Sequence, residues 1–328
     1  MKKNILVLVL IFLLFLFSFL YFLKEKKRPI LGVCLKKELL SPQLFQSLPL
    51  NLGYEPGIVS FQLNWNQPPD TLNQLLELIW QARAVPAVVL EPKGVLLQDL
   101  LQHKYDNYLR SLSAVFKHFQ KPLIILLAPS MNRQENHFGI RAEGFNLQSP
   151  AAYRKLFRYV VRFFQEQKTC NLLFAFVPAA RSYPCVFWNL PERFYPEDEL
   201  VDLVGLNDYN GEIAPENQVF SPSAFSEALS FSYSRLKKIA GKKAFFIFET
   251  KAALEGEERF VWLEQRLKTL SSWQIRGVLW NPGLLKNSAF SQQQKRLFQN
   301  HGYSRSAQKW AEAYLEKQKK KRPKNPGR

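Results

Sequence analysis

Eight short runs of apolar residues recur along this chain with amphipathic stretches between them, and that alternation constrains the fold more than any other feature. The runs are Ile30–Leu35, Gly57–Leu63, Val85–Leu90, Leu123–Ala128, Leu172–Val177, Leu200–Leu206, Ala244–Glu249 and Arg276–Trp280. Most are apolar at nearly every position, the pattern of strands covered on both faces. Behind Pro150, residues Leu156, Phe157, Val160, Val161 and Phe164 recur at helical spacing. Residues 104–119 repeat this with Leu109, Leu112, Val115, Phe116 and Phe119, and 71–81, 223–239, 257–270 and 292–300 fill the remaining slots. Eight strands alternating with helices within residues 29–303 are the count and size of an α/β (β/α)8 TIM barrel. A doubly wound open sheet would usually carry a Gly-rich turn after its first strand, and Cys34-Leu35-Lys36-Lys37 is not one. No boundary divides this body.

Ahead of it, residues 5–23 form nineteen consecutive positions without a charge. As a helix they span about 28 Å at about 1.5 Å per residue, enough for a hydrocarbon core of about 30 Å. No small-x-small cleavage site follows, so residues 1–28 read as an uncleaved single-pass membrane anchor. Basic residues on its two flanks nearly balance, so flanking charge does not orient it. The net charge of +18 belongs mostly to the ends: two from Lys2 and Lys3, three net from Lys24 to Arg28, and seven from Lys317 to Arg328. Residues 304–328 read as one further helix, Ser304 to Glu316, and a disordered basic tail. A solvated end and contact with anionic lipid fit that tail equally; specific nucleic-acid binding has no recognition module to support it.

Three cysteines exclude a disulfide scaffold. Cys34 falls on the first strand, while Cys170 and Cys185 flank the fifth, whose extended length keeps them beyond bonding reach. His103, His118, His137 and His301 form no ligand cluster, and no P-loop or dinucleotide fingerprint is present, so neither a metal nor a cofactor is expected.

In a barrel of this kind the working residues lie at the carboxyl ends of the strands. Those ends carry Trp65, Glu91, Ser130 with Asn132, Asn207 with Tyr209, Glu249 and Trp280. Aromatic rings, amides and carboxylates on one rim suit carbohydrate, with rings against sugar CH groups and polar atoms on hydroxyls. Plain packing is the competing reading for either tryptophan taken alone.

Several ordered stretches resemble glycoside hydrolase family 26, best known for β-mannanases. LEP at Leu90–Pro92 is similar to the family's Trp-Glu-Pro, and Lys104 to Asn132 resembles the segment leading into its His-Glu-Met-Asn. FAFVPA at Phe174–Ala179 sits where the family has Trp-Ser-Pro-Asn. YPEDELVDLVGLNDYN at Tyr195–Asn210 and KKAFFIFET at Lys242–Thr250 resemble its sixth and seventh strands. The resemblance runs from about Leu31 to Asn281. It implies a retaining mechanism with Glu249 as nucleophile, a β-linked glycan in the site (Trp65, Glu91, Asn132, Asn207, Tyr209 and Trp280 being the candidate contacts), and a barrel on the extracytoplasmic side.

Retaining glycosidases pair the nucleophile with a second carboxyl group about 5–5.5 Å away. The family's acid/base glutamate is matched here by Ser130, and the aromatic motif after it by Arg133 to Phe138. Three readings are open. The barrel can be a pseudoenzyme that binds a glycan or a partner protein. Glu135 or His137 can serve as a displaced acid, since five residues reach about 16–18 Å. Or a substrate with its own good leaving group can need only Glu249. An interaction scaffold in an envelope polysaccharide assembly is a further, non-catalytic possibility. Asp198, Asp202 and Asp208 are weaker acid candidates, with structural hydrogen bonding the simpler role.

Overall fold

The computed structural model of the chain describes residues 29–65, 68–91, 95–134, 145–210, 222–252, 264–270, 272–281, 296 and 307–322, with the side chains of 97, 208–210, 222–226 and 249–252 outside that description. Eight strands close on themselves in sequence order. They are β1 (Ile30–Leu35), β2 (Ile58–Asn64), β3 (Val85–Glu91), β4 (Leu123–Leu127), β5 (Leu172–Phe176), β6 (Leu203–Asn210), β7 (Ala244–Ala252) and β8 (Gly277–Trp280). Every neighbouring pair is parallel, including β1 with β8. The helices bounded among the described residues are α1 (Pro42–Leu52), α2 (Leu72–Gln81), α3 (Leu97–Leu101), α4 (Asp106–Phe119), α5 (Ser149–Glu166), α6 (Pro222–Ala240) and α7 (Ala307–Lys319), and 264–270 are helical as well. The TIM barrel expected from the alternation is therefore present. No helix among the described residues is long and apolar enough to cross a membrane, and the apolar run 5–23 lies outside them.

Two differences from the sequence reading have clear local causes. Helix α1 has weak apolar periodicity and an interior proline, Pro49, which removes one main-chain donor. It forms because its ends are well closed. Ser41 Oγ accepts from Leu44 N at 3.2 Å, Pro42 takes the first turn, and Gly53 ends it at φ 78°. Leu200, expected to begin the sixth strand, ends a 3-10 turn over 198–200 instead, and β6 and β7 run on beyond the apolar residues into polar ones.

Alternate strand residues divide between two cores, as the pleat requires. Outward residues such as Val33, Phe61, Val88, Phe174 and Ile247 pack under the helices. Inward residues Ile58, Val85, Ile124, Leu173, Leu203, Phe246, Phe248 and Leu279 fill the barrel. The two inward phenylalanines of β7 fit because the adjoining strands carry glycine. A Cβ at Gly205 would lie 2.5 Å from Phe248, and one at Gly277 2.6 Å from Phe246.

The same inner core continues into α7, whose Ala307, Ala311 and Leu315 close the N-terminal end of the barrel. Gln308 Nε2 donates to Trp80 O at 2.8 Å on one side. On the other, Tyr314 OH donates to Asp202 O at 2.9 Å and accepts from Ala244 N at 3.1 Å. Beyond the helix, Arg322 Nη2 donates to Asp202 Oδ2 at 2.6 Å and to Leu172 O at 2.8 Å. The basic tail, expected to lose order from Lys317, is thus ordered through Arg322, because a buried carboxylate needs a cation and Arg322 is in reach. Asp202 also accepts from Phe174 N at 2.9 Å, which gives it the structural role weighed above.

Burial pushes the Asp202 carboxyl above its ordinary value, and Arg322 pulls it back only in part. A carboxyl with a raised folded pKa favours the fold when protonated, so its contribution declines as pH rises from the ordinary carboxylate range through the raised value. Arg322→Ala is expected to cost about 3 kcal/mol at pH 7, where it strands the carboxylate. The loss in urea unfolding should shrink at pH 4, where Asp202 takes up a proton; equal losses at both pH values would refute the pairing as the cause.

Candidate functional site

The C-terminal rim is built by strands that outlast their apolar runs. After β4 the chain turns sharply, with Ala128 at φ 43° and Ser130 at φ 58°. Two non-glycine residues in the left-handed region around Pro129 are a local strain of the kind that gathers at functional sites. The turn is held because Ala128 N donates to Leu90 O at 3.0 Å, Ser130 N to Val177 O at 2.8 Å, and Arg133 N to Ser130 O at 3.1 Å.

Asn207 on β6 is the meeting point. Its main chain bridges to Ala179, donating to Pro178 O at 2.9 Å and accepting from Ala180 N at 2.8 Å. Its side-chain Nδ2 donates to Ser130 Oγ at 2.8 Å. On the other side the β6–β7 register shifts after Leu206: Leu206 pairs with Ile247, and Asn207 with Glu249. This bulge advances Glu249 by one residue, so that it lies opposite Asn207 rather than Asp208. The positions of Ser130 and Glu249 therefore flank one amide, the first through its hydroxyl and the second through strand register. The side chains of Glu249 and Tyr209 lie outside the described set, as does all of Glu135 and His137.

Among the described residues, no carboxyl or imidazole group bonds to Ser130 or Asn207. Asn207 Oδ1 is buried and has no donor among the described residues. A buried acceptor without a partner calls for an explanation, and a ligand hydroxyl would satisfy it.

A second polar group lies across the barrel mouth. Gln62 Nε2 donates to Glu91 Oε2 at 2.8 Å and to Asn64 Oδ1 at 3.0 Å. Gln62 and Asn64 are exposed at alternate positions of an otherwise buried strand. The sequence reading placed Glu91 here but missed both amides. Their signal was the spacing of Ser60, Gln62 and Asn64, each two residues apart on the inward face of β2.

Three expected sugar contacts take other roles. Asn132 is fully buried and its amide is saturated. Its Nδ2 donates to Ala179 O at 3.0 Å and Ser182 Oγ at 2.9 Å, while Oδ1 accepts from Ala179 N at 2.7 Å. Its main-chain oxygen accepts from Asn189 Nδ2 at 2.9 Å. It clamps the loops after β4 and β5 together and has no amide hydrogen left for a sugar. Trp65 is 5% exposed, its ring 6.4 Å from Tyr105 and 5.7 Å from Tyr108. Trp280 is 3% exposed in the same outer core. Both rings pack rather than present an open face, because successive strand residues alternate between the barrel interior and the helix layer. Trp65 keeps a buried Nε1 with no acceptor among the described residues.

Asn132→Ala should cost about 2–3 kcal/mol, since it leaves the main-chain groups of Ala179 without partners. Thermal unfolding would measure this, and hydrogen exchange should show protection lost at residues 179–189. Exchange unchanged there would refute the clamp.

Residues 51–251, more than half of the chain, match the sequence model of Glycosyl hydrolase family 26. No curated protein sequence matches the chain. Among solved structures it is similar to a GH26 β-mannanase from Bacteroides ovatus, at 16% identity and a TM-score of 0.62 over 86% of this chain and 90% of the other. It is also similar to GH26C from a Muricauda species, at 15% identity and 0.62 over 85% and 86%. An endo-β-1,4-mannanase double mutant from Cellulomonas fimi aligns at 13% identity and 0.62 over 84% and 70%. At such identities the structural likeness speaks for the fold, and the family match carries the assignment: the chain belongs to glycosyl hydrolase family 26.

Proposed function

We propose that this chain is a membrane-anchored, glycan-binding member of the family whose hydrolysis of unactivated β-linked polysaccharide is weak or absent. Residues 5–23 form the anchor, and the barrel lies on the extracytoplasmic side, where such polymers are found. One observation supports the reading. Ser130, which by sequence resemblance takes the place of the family's acid/base, has its Oγ accepting from Asn207, with no carboxyl group bonded to either among the described residues.

Glycoside cleavage needs a proton on the departing oxygen as the bond to the anomeric carbon breaks. A serine hydroxyl is far too weak an acid to supply it near neutral pH, and losing general acid–base help lowers the rate by a factor of about 10²–10⁴. The binding half of the reading has its own support. The acceptor of Asn207, unpartnered among the described residues, and the Gln62–Asn64–Glu91 group offer a neutral sugar both kinds of hydrogen bond. Since the structural relatives named above include β-mannanases, β-mannan is the first ligand to test.

A 2-fluoro-mannoside with a dinitrophenolate leaving group needs no acid. It should label Glu249, seen as a mass shift that Glu249→Gln abolishes, while β-mannan stays intact. Ser130→Glu should raise mannan turnover by at least tenfold. Turnover by the native chain that Glu249→Gln eliminates would overturn the reading, and Glu135→Gln would then show whether that residue is the displaced acid.

A further inference from the structure

The N-terminal end of the barrel, opposite the sugar-facing rim, is strongly basic. Arg83 precedes β3, Lys168 precedes β5 and Lys242 precedes β7, each in the link that enters its strand from this end. Lys317, Lys320 and Lys321 lie at the end of α7, which crosses the same end. All six are exposed and have no ion pair among the described residues. The acids of this end are mostly committed. Asp202 pairs with Arg322, Asp198 with Lys243, Glu197 with Arg158, Glu199 with Arg162 and Glu316 with Lys319. Glu55, Glu166 and Glu312 have no partner cation in the described set, three acids against the six cations. The surplus positive charge is therefore concentrated on one face.

Chain connectivity says what meets that face. β1 begins at Ile30 on the same end. Six residues separate Leu23, the last of the apolar run, from Ile30, and they can span at most about 20–22 Å. Arg322, bonded to Leu172 O at the start of β5, also lies at this end.

We propose that the N-terminal face of the barrel docks on an anionic lipid bilayer, with the Ser130–Asn207 rim pointing away from it. This rests on the anchor reading above. Each lysine near an anionic surface is attracted strongly enough to matter, and the attraction fades within a Debye length. A tether this short lets the six cations reach the surface, where the lipid field is felt. The mouth of the barrel stays free to meet a polymer approaching from the aqueous side.

Two exposed free thiols make the test direct, since Cys170 precedes β5 and Cys185 follows it. The full chain, with Cys34 and one of these changed to serine, is labelled at the other with a fluorescent donor. It is reconstituted into phosphatidylcholine vesicles, with or without 30% phosphatidylglycerol, carrying a headgroup acceptor. Energy transfer should be greater from Cys170 than from Cys185 in both. The Cys170 signal should rise with phosphatidylglycerol, and that rise should be lost in high salt or in the Lys317→Glu, Lys320→Glu, Lys321→Glu variant. Equal or greater transfer from Cys185, or a Cys170 signal indifferent to phosphatidylglycerol, would overturn the proposal. Lysine-dependent retention on DNA without any lipid response would overturn it in favour of nucleic acid. Failure to float with phosphatidylcholine vesicles would refute the anchor alone, and salt-sensitive binding to the anionic vesicles through Cys170's face would still decide the docking.

Discussion

A closed parallel barrel must fill its interior, and here that requirement governs everything else. Phe246 and Phe248 occupy space that Gly205 and Gly277 leave open, with Ile58, Val85, Ile124, Leu173 and Leu203 completing the packing. Nothing polar is tolerated at that depth without a partner. Polar chemistry is consequently displaced to the two ends, and the ends diverge. One is closed by α7 and tied by the Asp202–Arg322 pair. The other carries exposed amides on β2 and a carboxylate on β3.

The open end is organised around an amide rather than a charge. Asn207 receives the loop after β5 on one edge, the β7 position of Glu249 on the other, and Ser130 through its side chain. The β6–β7 bulge is what aligns it with Glu249. Asn132 supports this from behind by locking the loops after β4 and β5, so Ser130 is held by tightly bonded surroundings in a backbone conformation it would not adopt alone. The rim is thus held together by main-chain and amide hydrogen bonds among strands and loops distant in the chain.

Much of this was readable from residue order. Eight apolar runs and the helical spacing of residues such as Leu156, Val160 and Phe164 sufficed for the barrel, because buried parallel strands and amphipathic helices have different periods. Strand ends then named Glu91, Ser130, Asn207 and Glu249 as rim positions. Helix α1 escaped notice because its stability lies in its caps and not in its pattern. Gln62 and Asn64 were visible only as a polar break in one face of β2.

The sequence by itself determined the fold class, the family and the list of chemical groups at the rim, since these depend on local periodicity and on motifs in order. Only the tertiary structure decided what each group is bonded to. Asn132 became a clamp and Trp65 a packed ring because neighbours distant in the chain, Ala179 for one and Tyr108 for the other, reach them first. Arg322 likewise left the solvated tail for the core because Asp202, 120 residues away, needed a cation. Composition tells which side chains are present, but burial and pairing depend on contacts that close only when the barrel does.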